Sequence, residues 1–199
     1  MVTEYSRLAL FPLHTVLFPG GPLPLRIFET RYTDMVRRCM REQQPFGVVL
    51  IQEGDEAGTV ATTATVGCSA RVADFYTLQD GLLGISCVGE RKFRVESVRR
   101  EADGLNVGEV EWLAPEPQVA LPEEFSQFGE SVRRALDELA EHYQHVEKRF
   151  DDASWVGARL AELLPIGLED KQALLELEDP VARLDALLSL VPVEPPDEP

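Results

Sequence analysis

The sequence predicts an α+β fold in which an N-terminal pseudo-barrel of short, mostly antiparallel strands, with one inserted helix, precedes a C-terminal helical bundle. Up to residue 115, apolar residues lie in short β-branched and aromatic runs; after residue 122 they recur every three or four residues. The net charge divides near the same place, with −3 on residues 1–115 and −13 on residues 116–199. We therefore expect a barrel lobe at 1–115, a helical lobe at 116–191 and a disordered tail at 192–199.

Short runs separated by turn residues predict the strands of the first lobe. Asp80-Gly81 predicts a two-residue hairpin turn, because that turn requires positive φ. Such a turn places Phe75 opposite Ser86 and leaves Phe75 and Leu82 as apolar side chains on a mostly polar face. The predicted strands are Phe46–Ile51, Val66–Leu78, Gly81–Val88, Lys92–Val98 and Asn106–Leu113. Many short strands at close spacing favour a barrel-like sheet.

The helices follow from a change of period. The segment "TRYTDMVRRCMRE" has apolar residues on one face and predicts the inserted helix. The proline-rich segment "WLAPEPQVALPEE" predicts the linker between the lobes. Beyond it the spacing predicts one long helix from about Glu123 to Phe150, then shorter helices in "SWVGARLAELL", "LEDKQALLEL" and "PVARLDALLSLV".

Composition restricts the classes of function. The net charge of −16 opposes binding to nucleic acid and to anionic membranes. Cys39, Cys68 and Cys87 are widely spaced, which favours reduced thiols over disulfides or a zinc site. Neither a signal peptide nor a membrane span is expected, and these features together predict a cytoplasmic protein.

The sequence lacks recognisable motifs for catalysis, cofactor binding and metal binding. The sequence contains neither G-x-x-x-x-G-K-[ST] nor G-x-S-x-G, so we predict no phosphate-binding loop, no cofactor and no catalytic residues. His142 and His145 are one helical turn apart, but no third ligand accompanies them, and we expect a solvated face rather than a metal site. The segment "ERKFRVESVRR" is locally basic, as a nucleic-acid-binding patch would be. Its apolar and charged residues alternate, however, which is the pattern of a half-buried strand.

The opening stretch "LALFPLHTVLFPGGPLPLRIFETRYTDMV" has a distinctive placement of Pro and Gly among apolar residues. It resembles the start of the Lon substrate-binding domain family, which includes the N-terminal domain of the ATP-dependent protease Lon and stand-alone proteins built from that domain. The resemblance continues in "FGVVLI", "GERKFRV" and "LAELLPIGLEDKQALLELEDPVARLDALLSLV". Family members often have proline after the glutamate of "IFE", where this chain has Thr30. The resemblance implies a PUA-like barrel followed by a helical bundle.

The resemblance also implies function. It points to a non-catalytic module that binds unfolded or flexible polypeptides, as an adaptor or chaperone-like protein. The chain could bind at a barrel edge or in an apolar groove, and Phe75 and Leu82 are the candidate peptide-binding residues. A hydrolase or peptidase-associated enzyme and an RNA-binding PUA-like protein remain alternatives. Within the opening stretch, Phe28 is expected to plug the barrel and Glu29 to accept free N–H groups of the following helix.

Overall fold

The computed structural model describes residues 5–54 and 62–190 of the 199-residue chain. Across these ranges the chain forms six β-strands and five α-helices, which confirms the predicted α+β class. The strands are β1 (Tyr5–Leu13), β2 (Pro22–Ile27), β3 (Phe46–Leu50), β4 (Val66–Thr77), β5 (Leu83–Arg100) and β6 (Asn106–Trp112). The helices are α1 (Thr30–Glu42), α2 (Ser126–Glu138), α3 (Ala153–Leu163), α4 (Leu168–Glu176) and α5 (Pro180–Leu190). The tail predicted to be disordered, 192–199, lies outside the described residues.

The six strands form one sheet that closes on itself. Its order is β2-β5-β4-β3-β1-β6, and β6 also pairs with β5. The long β5 pairs with β2 through its first half and with β6 through its second half. Strands β1, β3, β4, β5 and β6 therefore make a ring, and β2 lies outside it as an attached strand. The β1–β3 pair is parallel and the other pairs are antiparallel. The PUA-like assignment of this barrel stays a prediction.

The hairpin between β4 and β5 differs from the sequence prediction. Phe75 lies opposite Ile85 rather than Ser86. The connection is a three-residue loop, closed by a 2.9 Å hydrogen bond from the N–H of Leu78 to the carbonyl of Leu82. Gly81 supplies the positive φ of 83° at the third loop position, where a type I turn ends in a bulge. The Asp-Gly pair predicted a turn at the right place, but one extra loop residue shifts the register by one.

The prediction of one long helix from about Glu123 to Phe150 is wrong. A short 3₁₀ turn at Glu123–Phe125 precedes α2, and α2 ends at Glu138. Successive turns then connect α2 to α3. Tyr143 and Val146 are buried all the same. Turns that fold against the core keep apolar residues three apart, so the spacing indicated which residues are buried rather than a continuous helix.

The two lobes share a hydrophobic core. Val16, Phe18 and Val66 of the first lobe belong to the same buried cluster as Val156 and Leu184 of α3 and α5. A second cluster fills the barrel and includes Tyr32, Met35, Val36 and Cys39 of α1. The lobes thus pack as one unit, while the boundary at residue 115 stays a prediction.

Two expectations for the segment before α1 are also corrected. Phe28 is 62% exposed and does not plug the barrel. Tyr32, one turn into α1, is buried instead and stacks on Phe11 with ring centroids 3.9 Å apart. Glu29 makes no side-chain cap; its carboxylate pairs with Arg31 at 2.9 Å, and its backbone carbonyl accepts the N–H of Tyr32. Over the described ranges, no helix combines the length and the apolar character needed to span a bilayer.

Candidate functional site

The outer edge of β2 is poorly suited to adding another strand. Within the described residues β2 pairs with β5 alone. Pro22 and Pro24 have no N–H, so the ladder to β5 depends on Leu23, Leu25 and Ile27. Among the residues that alternate with these three, Arg26 is then the one whose backbone N–H can point away from β5. Proline on an edge is a common device against strand addition, and this favours a side-chain groove over the barrel edge that the sequence left open.

An apolar cavity of about 450 Å³, here called the barrel-mouth cavity, lies beside β2. Phe28, on the short connection between β2 and α1, borders it with an exposed ring. The remaining lining is also mostly apolar and consists of Phe11, Leu13, Pro24, Leu25, Arg26, Ile27, Glu29, Tyr32 and Leu82. Binding pockets typically combine apolar walls with a few polar groups and often lie in the mouths of barrels.

A shallower cavity, here called the hairpin cavity, continues from the barrel-mouth cavity toward the β4–β5 turn. It is lined by Pro24, Leu25, Arg26, Tyr76, Leu78, Gln79 and Asp80, the first three of which also line the barrel-mouth cavity. The Tyr76 ring packs directly over Gly84, where a Cβ would lie 2.3 Å from the ring and would clash with it. Arg26 and Asp80 form an exposed ion pair at the rim, which contributes little to stability.

The structure separates the two candidate residues predicted from the sequence. Leu82 is half-buried and lines the barrel-mouth cavity. Phe75 is 58% exposed and lies opposite Ile85, which in turn lies opposite Leu25 of β2. Directly opposed residues share a face of the sheet, so Phe75 is on the face of Leu25, two strands away, without lining the cavity. Phe28 was missed as a candidate because an aromatic residue before a helix was read as core.

A cavity of about 640 Å³ with several charged residues in its wall lies between the lobes and is called here the interlobe cavity. Its wall includes Lys92 of β5 and Glu116 of the linker, joined at 2.7 Å. Arg183 of α5 and the hydroxyl of Ser154 also donate hydrogen bonds to Glu116. Burial alone would raise the pKa of Glu116, but the hydrogen bonds and charge of Arg183, with bonds from Lys92 and Ser154, lower it to about 2.

The ammonium of Lys92 is fully engaged in this cluster. Its Nζ also donates 2.9 Å hydrogen bonds to the carbonyls of Leu175 and Leu177, at the end of α4. Three donors therefore have three acceptors. The cluster links β5, the linker, α3, α4 and α5, and its geometry is that of a structural connection rather than of an activated nucleophile.

Metal-ligating and thiol chemistry find no support in the described residues. No group of three or more His, Cys, Asp and Glu is close enough to hold a metal there. His142 and His145 are exposed, in the turns after α2 rather than on a helix. All three cysteines are buried; burial raises the pKa of Cys87 to about 12 and also raises the pKa of Cys39 and Cys68.

Comparison with known proteins gives one family over nearly the whole chain. The family model of the ATP-dependent protease La (LON) substrate-binding domain matches residues 7–192. A crystal structure of a Lon N-terminal domain protein from Xanthomonas campestris is 40% identical, covers 94% of this chain and 99% of its own, and superposes with a TM-score of 0.78. The N-terminal domain of the Mycobacterium avium complex Lon protease is 15% identical, covers 92% of this chain and 97% of its own, and has a TM-score of 0.60, which shows the shared fold.

Curated relatives are much longer than this chain. Lon protease 2 of Myxococcus xanthus is 26% identical over 191 residues, which are 92% of this chain and 23% of that protein. Protein cereblon of Danio rerio is 34% identical over 113 residues, which are 53% of this chain and 26% of that protein. The chain thus spans about a quarter of the length of the curated relatives it matches.

Proposed function

The chain belongs to the ATP-dependent protease La (LON) substrate-binding domain family, and we propose that it binds unfolded or flexible polypeptide without catalysis. The binding surface in this proposal consists of the barrel-mouth cavity and the adjoining hairpin cavity. The observation that carries the proposal is the exposed ring of Phe28 at the border of a cavity with mostly apolar walls. An exposed aromatic ring that continues the apolar wall of a cavity forms a contiguous apolar surface, and such surfaces are candidate interaction sites.

The geometry suits an extended chain with apolar side chains. The two cavities are contiguous through Pro24, Leu25 and Arg26, so neighbouring side chains of one segment could enter both. Affinity would come from side-chain burial, because the prolines of β2 leave few backbone donors on its outer edge. Binding by side-chain burial is tolerant of sequence, which is what recognition of varied unfolded polypeptides requires.

Phe75 extends the proposed surface as a flanking contact. It lies on the same sheet face as Leu25 and is exposed. In the proposal, Leu82 contributes to the cavity wall, whereas Phe75 adds apolar area for longer segments. An adaptor or chaperone-like role follows if a bound polypeptide is released intact to another protein.

A binding measurement tests the proposal directly. Fluorescein-labelled casein, an unfolded protein, is titrated with the wild-type protein and with Phe28→Ser, Leu82→Ser and Phe75→Ser, using fluorescence polarisation. We expect Phe28→Ser and Leu82→Ser each to weaken binding about tenfold, because each removes a buried apolar contact of roughly 1.5 kcal/mol or more. Phe75→Ser should weaken it less.

Leu188→Ser is the matched control, since Leu188 is an exposed leucine on α5 away from the proposed surface. It should bind casein as the wild type does. Thermal melts identify any variant that unfolds, and gel electrophoresis of the casein should show it intact. Wild-type affinity in a folded Phe28→Ser protein, or steady cleavage of the casein, contradicts the proposal.

A further inference from the structure

A cavity of about 220 Å³, here called the flanking cavity, lies between β2 and the turns that follow α2. It shares Pro24 and Tyr76 with the hairpin cavity, so it continues the proposed polypeptide surface along β2. From the turns, the polar side chains of His142, Gln144 and His145 line it. The surface that accepts apolar side chains therefore adjoins a cavity of more mixed chemistry.

The walls of the flanking cavity on the sheet side are apolar. Pro22, Leu23 and Pro24 of β2 line it, together with Tyr76 of β4. A Cβ on Gly84 would lie 2.3, 2.7 and 2.8 Å from three neighbouring carbons of the Tyr76 ring, and such similar distances place Gly84 against a face of the ring rather than its edge. The side chain of Tyr76 is still 42% exposed, so its other face is open. An aliphatic stem can lie along walls of this kind, and an open aromatic face attracts a cation.

A carboxylate without a cationic partner completes the lining. Glu141, in the turns after α2, lines the flanking cavity and is exposed, and it forms no ion pair within the part of the chain that the structure describes. The arginines that flank the cavity along the sheet have carboxylates of their own, since Arg26 pairs with Asp80 and Arg71 with Glu90. The charge of Glu141 is therefore available to a ligand.

A second carboxylate lies on the same face of the sheet. Asp74 is opposite Ser86, which lines the flanking cavity and is itself opposite Pro24. Opposed residues share a face, so Asp74 adds negative potential beside the cavity without lining it. Its carboxylate accepts the N–H of the adjacent Phe75 and has no arginine or lysine partner among the described residues. Glu141 and Asp74 together favour a cation over an anion in this cavity.

We propose that the flanking cavity binds the side chain of a lysine or arginine that lies close to the apolar residues of a bound polypeptide. This inference rests on the proposed function and specifies its substrate class as segments in which apolar and basic residues are neighbours. The aliphatic stem lies along the prolines of β2 and the Tyr76 ring, and the cationic group pairs with Glu141. The same charges disfavour segments that carry acidic residues at this place.

Two synthetic peptides test the inference. Both carry fluorescein and a central run of leucine and valine; one has a lysine on each side of the run, and the other has acetyl-lysine at both places, which keeps the stem and removes the charge. By fluorescence polarisation at low salt, the wild type should bind the lysine peptide about fivefold more tightly, through one ion pair and one cation–π contact. Glu141→Gln should lose most of that preference and bind the acetyl-lysine peptide as the wild type does.

Glu130→Gln is the matched control, because Glu130 is an exposed acid of α2 that lines none of the three cavities. It changes the net charge equally and should keep the preference. An equal loss in both variants would assign the preference to the overall negative charge and overturn the inference.

The remaining outcomes separate the inference from the proposed function. Equal binding of the two peptides by the wild type, or binding of casein but of neither peptide, overturns the inference and leaves the proposed function standing. Failure of the wild type to bind casein as well as both peptides overturns both.

Discussion

The carbonyl oxygen of Pro19 accepts a hydrogen bond of 3.1 Å from Nη2 of Arg159, a residue 140 positions further along the chain. This bond joins the Pro-Gly loop before β2 to helix α3. The contact is close: a Cβ on Gly21 would lie 1.9 Å from Oε1 of Glu162, which pairs with Arg159. The glycines and prolines of the opening stretch thus fit the barrel lobe against the helical lobe.

Gly21→Ala should destabilise the protein. The added methyl group overlaps the Glu162 carboxylate and must displace the buried Arg159–Glu162 pair, so we expect a loss of about 1–3 kcal/mol in the free energy of unfolding. Chemical denaturation measures this loss. Gly167→Ala is the control, because a Cβ there meets only Asp170 at 3.4 Å and its φ of −62° suits any residue. Equal stability of the two variants would contradict the close fit at Gly21.

The sequence predicted the elements of the fold better than their register and length. Short β-branched runs and the α1 pattern depend on local chemistry, and α1 and the predicted runs are present, although Gly81–Val88 and Lys92–Val98 are parts of the single strand β5 and the list of predicted strands lacked β1 and β2. The Phe75–Ile85 register depends on one loop residue, and the end of α2 at Glu138 depends on where the chain meets the core. Both are decided by tertiary packing, which a single sequence does not display.

Glu116→Gln should be one of the most destabilising single changes in the protein. It leaves the buried cations Lys92 and Arg183 without their carboxylate, and breaking a buried ion pair in this way typically costs about 3–5 kcal/mol. The measurement is denaturant unfolding at neutral pH. Glu147→Gln removes an exposed ion pair with Arg149 and should leave the stability nearly unchanged, because solvent screens such a pair.

The stabilisation from Glu116 should also disappear in acid. Folding lowers the pKa of Glu116 from 4.5 to about 2, so its contribution is complete above pH 4.5 and is lost as the pH falls toward 2, an effect of roughly 3 kcal/mol. Burial raises the pKa of Glu162, against the opposing charge of Arg159. Protonation of Glu162 therefore adds to the stability of the folded state as the pH falls, which is opposite to the effect of Glu116. The difference between wild type and Glu116→Gln isolates Glu116. A difference that stays constant from pH 6 to pH 2 would be inconsistent with this assignment.

The barrel lobe should not be stable without the helical lobe. A fragment of residues 1–115 would expose Phe18 and Val66, which are buried in the shared core. It would also leave Lys92 without Glu116 and the carbonyls of Leu175 and Leu177. We expect aggregation or a non-cooperative thermal melt, measured by circular dichroism beside the whole chain. A cooperative melt of the fragment would show that the lobes fold independently.

The candidate site shows the same division between local and tertiary information. The sequence identified Leu82 as an apolar residue on a polar surface, and Leu82 lines the barrel-mouth cavity. Phe28 was missed because Tyr32 fills the barrel interior where Phe28 was expected.

Two leucines of α5 provide the sharpest test of how the helical lobe covers the barrel. Leu184 is 0% exposed and belongs to the shared core, whereas Leu188, one turn later, is 53% exposed. Leu184→Ala should therefore cost about 2–5 kcal/mol, through lost burial and the cavity that it leaves. Leu188→Ala should stay within about 0.5 kcal/mol of wild type, because an exposed substitution to a strong helix former costs little. Both values come from urea unfolding of the two variants. Comparable losses at the two positions would mean that α5 is rotated, or that a further surface covers Leu188.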